Sequence, residues 1–279
     1  MRNIPKKLHL YWDGSPMSLL QTFTVTSFHK HNPDWEITIY IPKDKYNGSM
    51  KFSFIPNYTG KDYFHLLTSL DYVNIVVIDL DLYNIRQDLH GILRSDIFRY
   101  HILYDEGGVW SDFDVIWLKP MSYFDDIEYY GDTPIDEVNA VVSFIHGTAG
   151  GHSIGIMIHS KGDAYIKSVI DLTKTVKPPY GHEVFGGSML NVNYPTLESL
   201  SKFPGVIGAK FETYYPYNIH PPRPTIQKLY KGVDISCIND NVMCLHWYNG
   251  HRLSKNYINN NGFKRKCSMT TILKNGGYI

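Results

Sequence analysis

Two carboxylates one residue apart, Asp112 and Asp114 in the segment GGVWSDFDV, are the side chains of this sequence best placed for chemistry. Residues two apart at the end of a strand leave the same face. The pair therefore offers hard oxygen ligands in one direction, a set that suits Mn2+ or Mg2+ rather than softer metals. A departing diphosphate needs such a cation, which offsets the negative charge gathering as the bond to its oxygen breaks. Asp-x-Asp alone is a weak signal. A second copy, Asp79-Leu80-Asp81, closes the apolar run from Val73 to Leu80 without the surrounding features and reads as a strand end or a loop near the site. What distinguishes the first copy is Asp96 and Arg99 just upstream, three residues apart on one helix face. Asp96 could accept hydrogen bonds from sugar hydroxyls and Arg99 could make a charge-assisted contact to sugar or diphosphate. The same spacing otherwise makes an ordinary helix-surface ion pair.

The elements that must position these groups follow from periodicity. Lys7 to Trp12 alternates and runs into Asp13-Gly14, a first strand; residues 18 to 31 read as a helix broken at Asn32-Pro33-Asp34; and Trp35 to Ile41 is a second strand before Pro42. Val73 to Leu80 is continuously apolar, as in a strand covered on both faces. Leu93 to Asp105 is helical, with Ser95 as its expected cap and Gly107-Gly108 as its end. Val109 to Leu118 is a strand that carries or just precedes the two aspartates. One or two strands are expected over residues 137 to 158, a helix over 164 to 176, irregular structure over 203 to 236 and a short strand at 242 to 246. The β-α-β opening, followed by a further apolar strand, predicts an α/β fold.

Composition narrows the classes. At 279 residues, one domain suffices. With 27 basic against 27 acidic residues, no net field draws the chain to nucleic acid. No run reaches the roughly 20 apolar residues of a membrane-spanning helix, although contact with a membrane surface at the basic run Lys264-Arg265-Lys266 remains open. The opening MRNIPKKLHLYW lacks the pattern of a secretory signal, which points to the cytoplasm and makes the sequons at Asn47 and Asn57 chance occurrences. Cys237, Cys244 and Cys267 are odd in number and lack metal-binding spacing. Neither a phosphate-binding GxxxxGK[ST] loop nor GxGxxG occurs, so kinase and dehydrogenase readings fall away.

The stretch LRSDIFRYHILYDEGGVWSDFDVIWLKP, ending at Pro120, resembles the sugar-binding region of the DxD glycosyltransferases of family 32, and also the catalytic domain of the glucosylating clostridial toxins. Their pattern SDxxRxxxLxxxGGxYxDxD is met at Ser95, Asp96, Arg99, Leu103, Gly107, Gly108, Asp112 and Asp114, with Trp110 where Tyr is usual. IPKKLHLYWDG and NPDWEITIY are similar to that family's opening strand and the stretch that follows it. The resemblance implies a GT-A fold over the whole chain, an α/β fold with a mixed, mostly parallel sheet flanked by helices and a Rossmann-like, nucleotide-binding N-terminal half, with residues 1–120 as donor half and 121–279 as acceptor side and closing segment. It also implies transfer of a hexose from a nucleotide sugar, a UDP-sugar favoured and a GDP-sugar open, to a hydroxyl of a glycan or lipid-linked acceptor, with retention of configuration and use of Mn2+ or Mg2+.

Carried over by position, the resemblance places Leu10, Tyr11, Trp12, Asp96, Arg99, Trp110, Ser111 and Asp112 at the donor, with Trp12 on the base. Asp96, Arg99, Asp112 and Asp114 are the catalytic set, and Asp112 and Asp114 hold the metal. Near the C-terminus, HWYNGHR is similar to the family's HHxxGSW segment, with His251 and Arg252 departing from it, so the remaining ligand is open among His246, Asn249 and His251. GHEVFGGSML is similar to an acceptor-side segment and suggests His182, Glu183, Gly186 and Gly187 there. Two other readings stay open: hydrolysis of the nucleotide sugar, and a sugar- or nucleotide-binding module without turnover.

Overall fold

A computed structural model describes residues 1–44, 58–178, 180–181, 183–220 and 224–279. His182 and the sequons at Asn47 and Asn57 lie outside the described residues. In chain order the first elements are β1 (Lys7–Tyr11), α1 (Leu19–His31), β2 (Glu36–Pro42), α2 (Phe64–Thr68), β3 (Val73–Ile78), α3 (Gly91–Glu106), β4 (Gly108–Ser111) and β5 (Val115–Trp117). They continue with β6 (Tyr129–Tyr130), β7 (Ala140–His146), β8 (Ala149–His159), α4 (Ala164–Thr173), α5 (Gly187–Asn193), β9 (Val206–Ala209), α6 (Ile226–Tyr230), β10 (Cys244–His246), α7 (Arg252–Asn259) and α8 (Ser268–Asn275).

One sheet runs in the order β3-β2-β1-β4-β8-β7-β9-β6. Its first four strands are all parallel, β7 and β9 are also parallel, and β8 runs antiparallel to both β4 and β7. This is the mixed, mostly parallel sheet that the family resemblance implies. Alternate residues feed opposite faces. Leu8, Leu10, Val109 and Ile158 join a core with α1 and α8, while Tyr11, Trp110 and Met157 join one with α3, α4 and α5.

The chain steps outward from β1 to β2 to β3 and then returns to the other side of β1 with β4. Such a switch point leaves a crevice beyond the carboxyl ends of the two strands, where open α/β sheets bind ligands. Here those ends are Tyr11-Trp12 and Ser111-Asp112. The return is tight. A Cβ on Gly107 (φ +64) would lie 2.5 Å from Lys161 N, and one on Gly108 (φ +106) 2.5 Å from Lys7 O, so only glycine fits either turn position.

Several expectations need correction. The helix expected from Leu93 begins at Gly91, its cap is His90 accepting from Ile92 N–H, and Ser95 lies inside it. The strand expected over 109 to 118 is two strands, with the aspartates in the turn between them, because β5 leaves the main sheet to pair with β10. β3, expected to be covered on both faces, is the sheet edge, with Val77 67% exposed. Within 203 to 236, expected to be irregular, β9 and α6 form.

Candidate functional site

The turn that carries the aspartates is held from three sides. From α1, Thr24 Oγ1 accepts from Val115 N–H at 3.3 Å and Ser27 Oγ from Trp117 N–H at 2.9 Å, so helix hydroxyls satisfy the edge of β5 that no strand covers. From β8, Gly155 O accepts from Asp112 N–H at 2.8 Å. From the C-terminal segment, Trp247 N–H donates to Asp114 O at 2.8 Å, next to the β5–β10 pairing of Val115 with His246.

That pairing brings His246 to the acidic turn. His246 Nε2 lies 3.0 Å from Asp114 Oδ1, and Asn249 N–H donates to Asp114 Oδ2 at 2.7 Å. Asp112, Asp114 and His246 each present a ligand atom within 4.8 Å of the others. One imidazole and two carboxylates fit Mn2+, which accepts nitrogen as well as oxygen. Space for an ion is kept by Gly155: a Cβ there would stand 3.2 Å from Asp112 Oδ2, 3.4 Å from His246 Nε2 and 3.1 Å from Tyr215 Oη.

Burial raises the Asp112 carboxyl against the pull of the Arg99 guanidinium. Burial also works against ionised Asp114, but His246 and the Asn249 N–H outweigh it and leave that carboxyl below the usual range. Burial opposes charge on His246 and the two aspartates overcome it, raising the imidazole.

Behind the acidic turn stands Arg99, 3% exposed. It reaches Asp96 Oδ1 at 2.7 Å and Asp112 Oδ1 at 3.3 Å, donates to Ile154 O, and its guanidinium carbon lies 4.9 Å from the Trp110 ring centroid. Asp96 and Arg99 are therefore a buried pair, not a surface one. Trp110 Nε1 donates to Asp112 Oδ1 at 3.0 Å and Ser111 Oγ to Asp112 O at 3.0 Å. Trp110 and Ser111, at 1% and 0% exposure, support Asp112 from behind. Leu10, expected at the donor, is a core residue at 0% exposure. Tyr11 is also buried, its ring 6.0 Å from that of Phe98. Trp12, half-buried, packs edge-on against Phe113 at 5.2 Å and donates to Ser15 O at 2.9 Å.

Of the three candidates for the remaining ligand, His246 alone joins the cluster of carboxylates and imidazoles. Asn249 stands beside it, with Oδ1 accepting from Lys255 Nζ at 3.2 Å. His251 instead caps α7, Nδ1 accepting from Leu253 N–H at 3.2 Å. Among the acceptor-side residues, Gly186 and Gly187 open α5 against β8, where Cβ atoms would lie 2.7 Å from Ile154 Cδ1 and 2.9 Å from His152 O. Glu183 is exposed, with φ +63. Asp79, of the second Asp-x-Asp, turns its carboxylate onto Asp81 N–H, and Asp81 bonds Gln87.

A family model described as "Glycosyltransferase sugar-binding region containing DXD motif" matches residues 20–134. Residues 20–134 are thus similar to a DXD-type glycosyltransferase sugar-binding region. The match takes in α1, α3 and the acidic turn, and excludes His246. A curated relative, the initiation-specific alpha-1,6-mannosyltransferase of Saccharomyces cerevisiae, is 28% identical over 153 residues, 47% of this chain and 32% of that protein. The match thus spans about a third of that relative's length. Among solved structures, the PaToxG glycosyltransferase is 18% identical with a TM-score of 0.45, covering 71% of this chain and 73% of that one. The galactosyltransferase LgtC in complex with donor and acceptor sugar analogs is 11% identical with a TM-score of 0.44, covering 98% of this chain and 96% of that one.

Sequence reasoning missed Gly155, Tyr215 and Lys255. Gly155 had a readable signal, since a glycine inside a strand marks a close approach. The other two had none, as they meet the sugar-binding region only through folding.

Proposed function

We propose that this protein transfers a hexose from a nucleotide sugar to an acceptor hydroxyl, using a divalent cation, Mn2+ or Mg2+, at Asp112, Asp114 and His246. The observation that carries the reading is this cluster's place beyond the carboxyl ends of β1 and β4, with its two carboxylates in the segment that resembles a DXD sugar-binding region. A cation bound there supplies positive charge to the departing diphosphate. Trp12, on the same rim, offers its ring to the base. Arg99 fixes Asp112 against Asp96 and so sets the direction in which the first carboxylate points. Asp96 and Arg99 line the side on which the donor sugar lies, and Glu183 with the strand segment around Ile154 borders the acceptor side.

UDP-hexoses are the first donors to test, because the opening strand and Trp12 are toxin-like. Mannose is included because the yeast relative is a mannosyltransferase. Thermal-shift measurement against UDP- and GDP-sugars with Mn2+ identifies the donor as the one that raises the melting temperature. Turnover with glycan and lipid-linked acceptors then separates transfer from release of free sugar. A protein that binds donor and Mn2+ but releases only free sugar is a hydrolase, and one that releases nothing is a binding module.

No helix among the described residues is long and apolar enough to cross a membrane.

A further inference from the structure

The hydroxyl of Tyr215 borders the same space as the acidic cluster. The point where a side chain on Gly155 would begin has three neighbours: Tyr215 Oη at 3.1 Å, Asp112 Oδ2 at 3.2 Å and His246 Nε2 at 3.4 Å. The phenol oxygen is therefore as near to that point as the two ligand atoms are. Asp112 turns Oδ2 toward it because Oδ1 is taken by Arg99 and by Trp110 Nε1.

Several contacts fix the tyrosine there. Tyr215 is 4% exposed. Its N–H donates to Phe211 O at 2.9 Å, and its ring stacks on that of Phe211 at 4.5 Å with 12° between the planes. The two residues before it bond the closing strand: Thr213 O accepts from Met243 N–H and Tyr214 O from His246 N–H, each at 2.9 Å. That backbone register holds the Tyr215 ring 4.9 Å from the His246 ring. At its other end the phenol shares a hydrogen bond with Ser153 Oγ on β8, two residues before Gly155. One side chain thus joins the strand that carries Gly155 to the strand that carries His246. A buried hydroxyl costs free energy unless it is partnered, and packing against Phe211 and His246 needs only the ring. Among the described residues, Ser153 Oγ has no other bond into the cluster.

Resting on the cation reading above, we infer that Tyr215 is a positioning residue of the cation site: its ring sets the His246 imidazole, and its hydroxyl, braced by Ser153, fixes the wall beside Asp112 Oδ2. The two hydroxyls act as one unit. Without Ser153 the phenol loses its anchor on β8, and without the phenol Ser153 touches nothing in the cluster.

The test is Mn2+ titration by paramagnetic resonance on the whole protein without donor, with nitrogen couplings to the bound ion measured by pulsed resonance on the same samples. Tyr215→Phe keeps the ring and removes the hydroxyl. Mn2+ affinity should fall about tenfold, the lower end of what loss of a group supporting a metal ligand brings. Ser153→Ala should lower it in the same direction, and the double variant should be no weaker than Tyr215→Phe, because groups acting as a unit are not additive. Tyr215→Leu also removes the ring and should weaken the His246 nitrogen coupling that Tyr215→Phe retains. A tyrosine that only packs would change the melting temperature and leave Mn2+ affinity alone. Wild-type affinity in Tyr215→Phe, simple addition of the two single losses, or an unchanged nitrogen coupling in Tyr215→Leu each overturns the inference while leaving the cation site standing. Wild-type protein that binds no Mn2+, or binds it without nitrogen coupling, overturns the cation reading itself and this inference with it. Should Tyr215→Leu not fold, Tyr215→Phe and Ser153→Ala decide the matter.

Discussion

Asp114 Oδ1 and His246 Nε2 lie 3.0 Å apart across the ribbon that β5 and β10 form. The neighbouring Asn249 N–H completes the second carboxylate oxygen at 2.7 Å. A carboxylate held from both oxygens by the closing segment is oriented before any ion arrives. Asp114→Asn should therefore lower Mn2+ affinity by more than the ~10- to 100-fold that loss of a supporting partner brings, and abolish metal-dependent turnover. Titration of Mn2+ by its paramagnetic resonance signal checks the first, and a donor-turnover assay the second. Full activity in Asp114→Asn would falsify the metal assignment.

Arg99 joins Asp96 on α3 to Asp112 in the acidic turn, and it is buried. Removing one member of a buried ion pair typically costs about 3–5 kcal/mol, because the partner is left charged and unpaired. Arg99→Leu should approach that range in urea unfolding, mostly through Asp96, since the Asp112 side chain is 35% exposed and water offsets part of its loss. Arg99→Lys keeps a charge but has no planar fork to span two carboxylates, so it should recover only part of the stability and little of the turnover.

Gly155 keeps the cluster open. Gly155→Ala places a methyl 3.2 Å from Asp112 Oδ2 and 3.4 Å from His246 Nε2. Mn2+ affinity should fall about tenfold, the equivalent of ~1.4 kcal/mol, with a melting temperature within a few degrees of wild type. Unchanged Mn2+ binding would mean that the ion does not use the space beside the glycine.

Acid should weaken the fold through two buried imidazoles that are not part of the acidic cluster. His9 bonds Gly107 O and Tyr40 Oη, His152 bonds Tyr194 O, and burial pushes each ring down to about 4. Both are neutral in the folded chain, while in the unfolded chain they protonate near the ordinary value of about 6.5. The unfolded state therefore binds more protons between pH 6.5 and 4, and stability falls as pH falls through that window. Each ring contributes a slope of up to ~1.4 kcal/mol per pH unit. Urea midpoints across that range should become less steep in His9→Gln if the folded chain tolerates the amide.

The parts of the fold set by local pattern were legible. The helix at residues 18 to 31, the break at Asn32-Pro33, the double glycine after α3 and the alternation of β1, β2 and β4 each follow from nearest neighbours. The acidic turn and the Asp96–Arg99 pair were legible for the same reason. What was hidden depended on pairing between distant segments. The apolar run from Val109 onward reads as one strand, yet β5 turns away because β10 and the hydroxyls of α1 offer it partners. Trp110, Ser111 and Leu10 have types that suit ligand contact, and only their burial shows that they work behind the surface. The choice among His246, Asn249 and His251 turned on which one the β10 register directs at Asp114 and which one the start of α7 consumes as a cap.

The ribbon of β5 and β10 also sets a schedule. Asn249 and Asp114 are 135 residues apart in sequence, and closing so long a loop carries an entropy penalty that the earlier parallel strands need not wait for. As the chain emerges during synthesis, β1 to β4 can pair and the acidic turn can form while its imidazole is still untranslated. A partial chain therefore has the sheet and the two aspartates but not the strand that brings His246 to them.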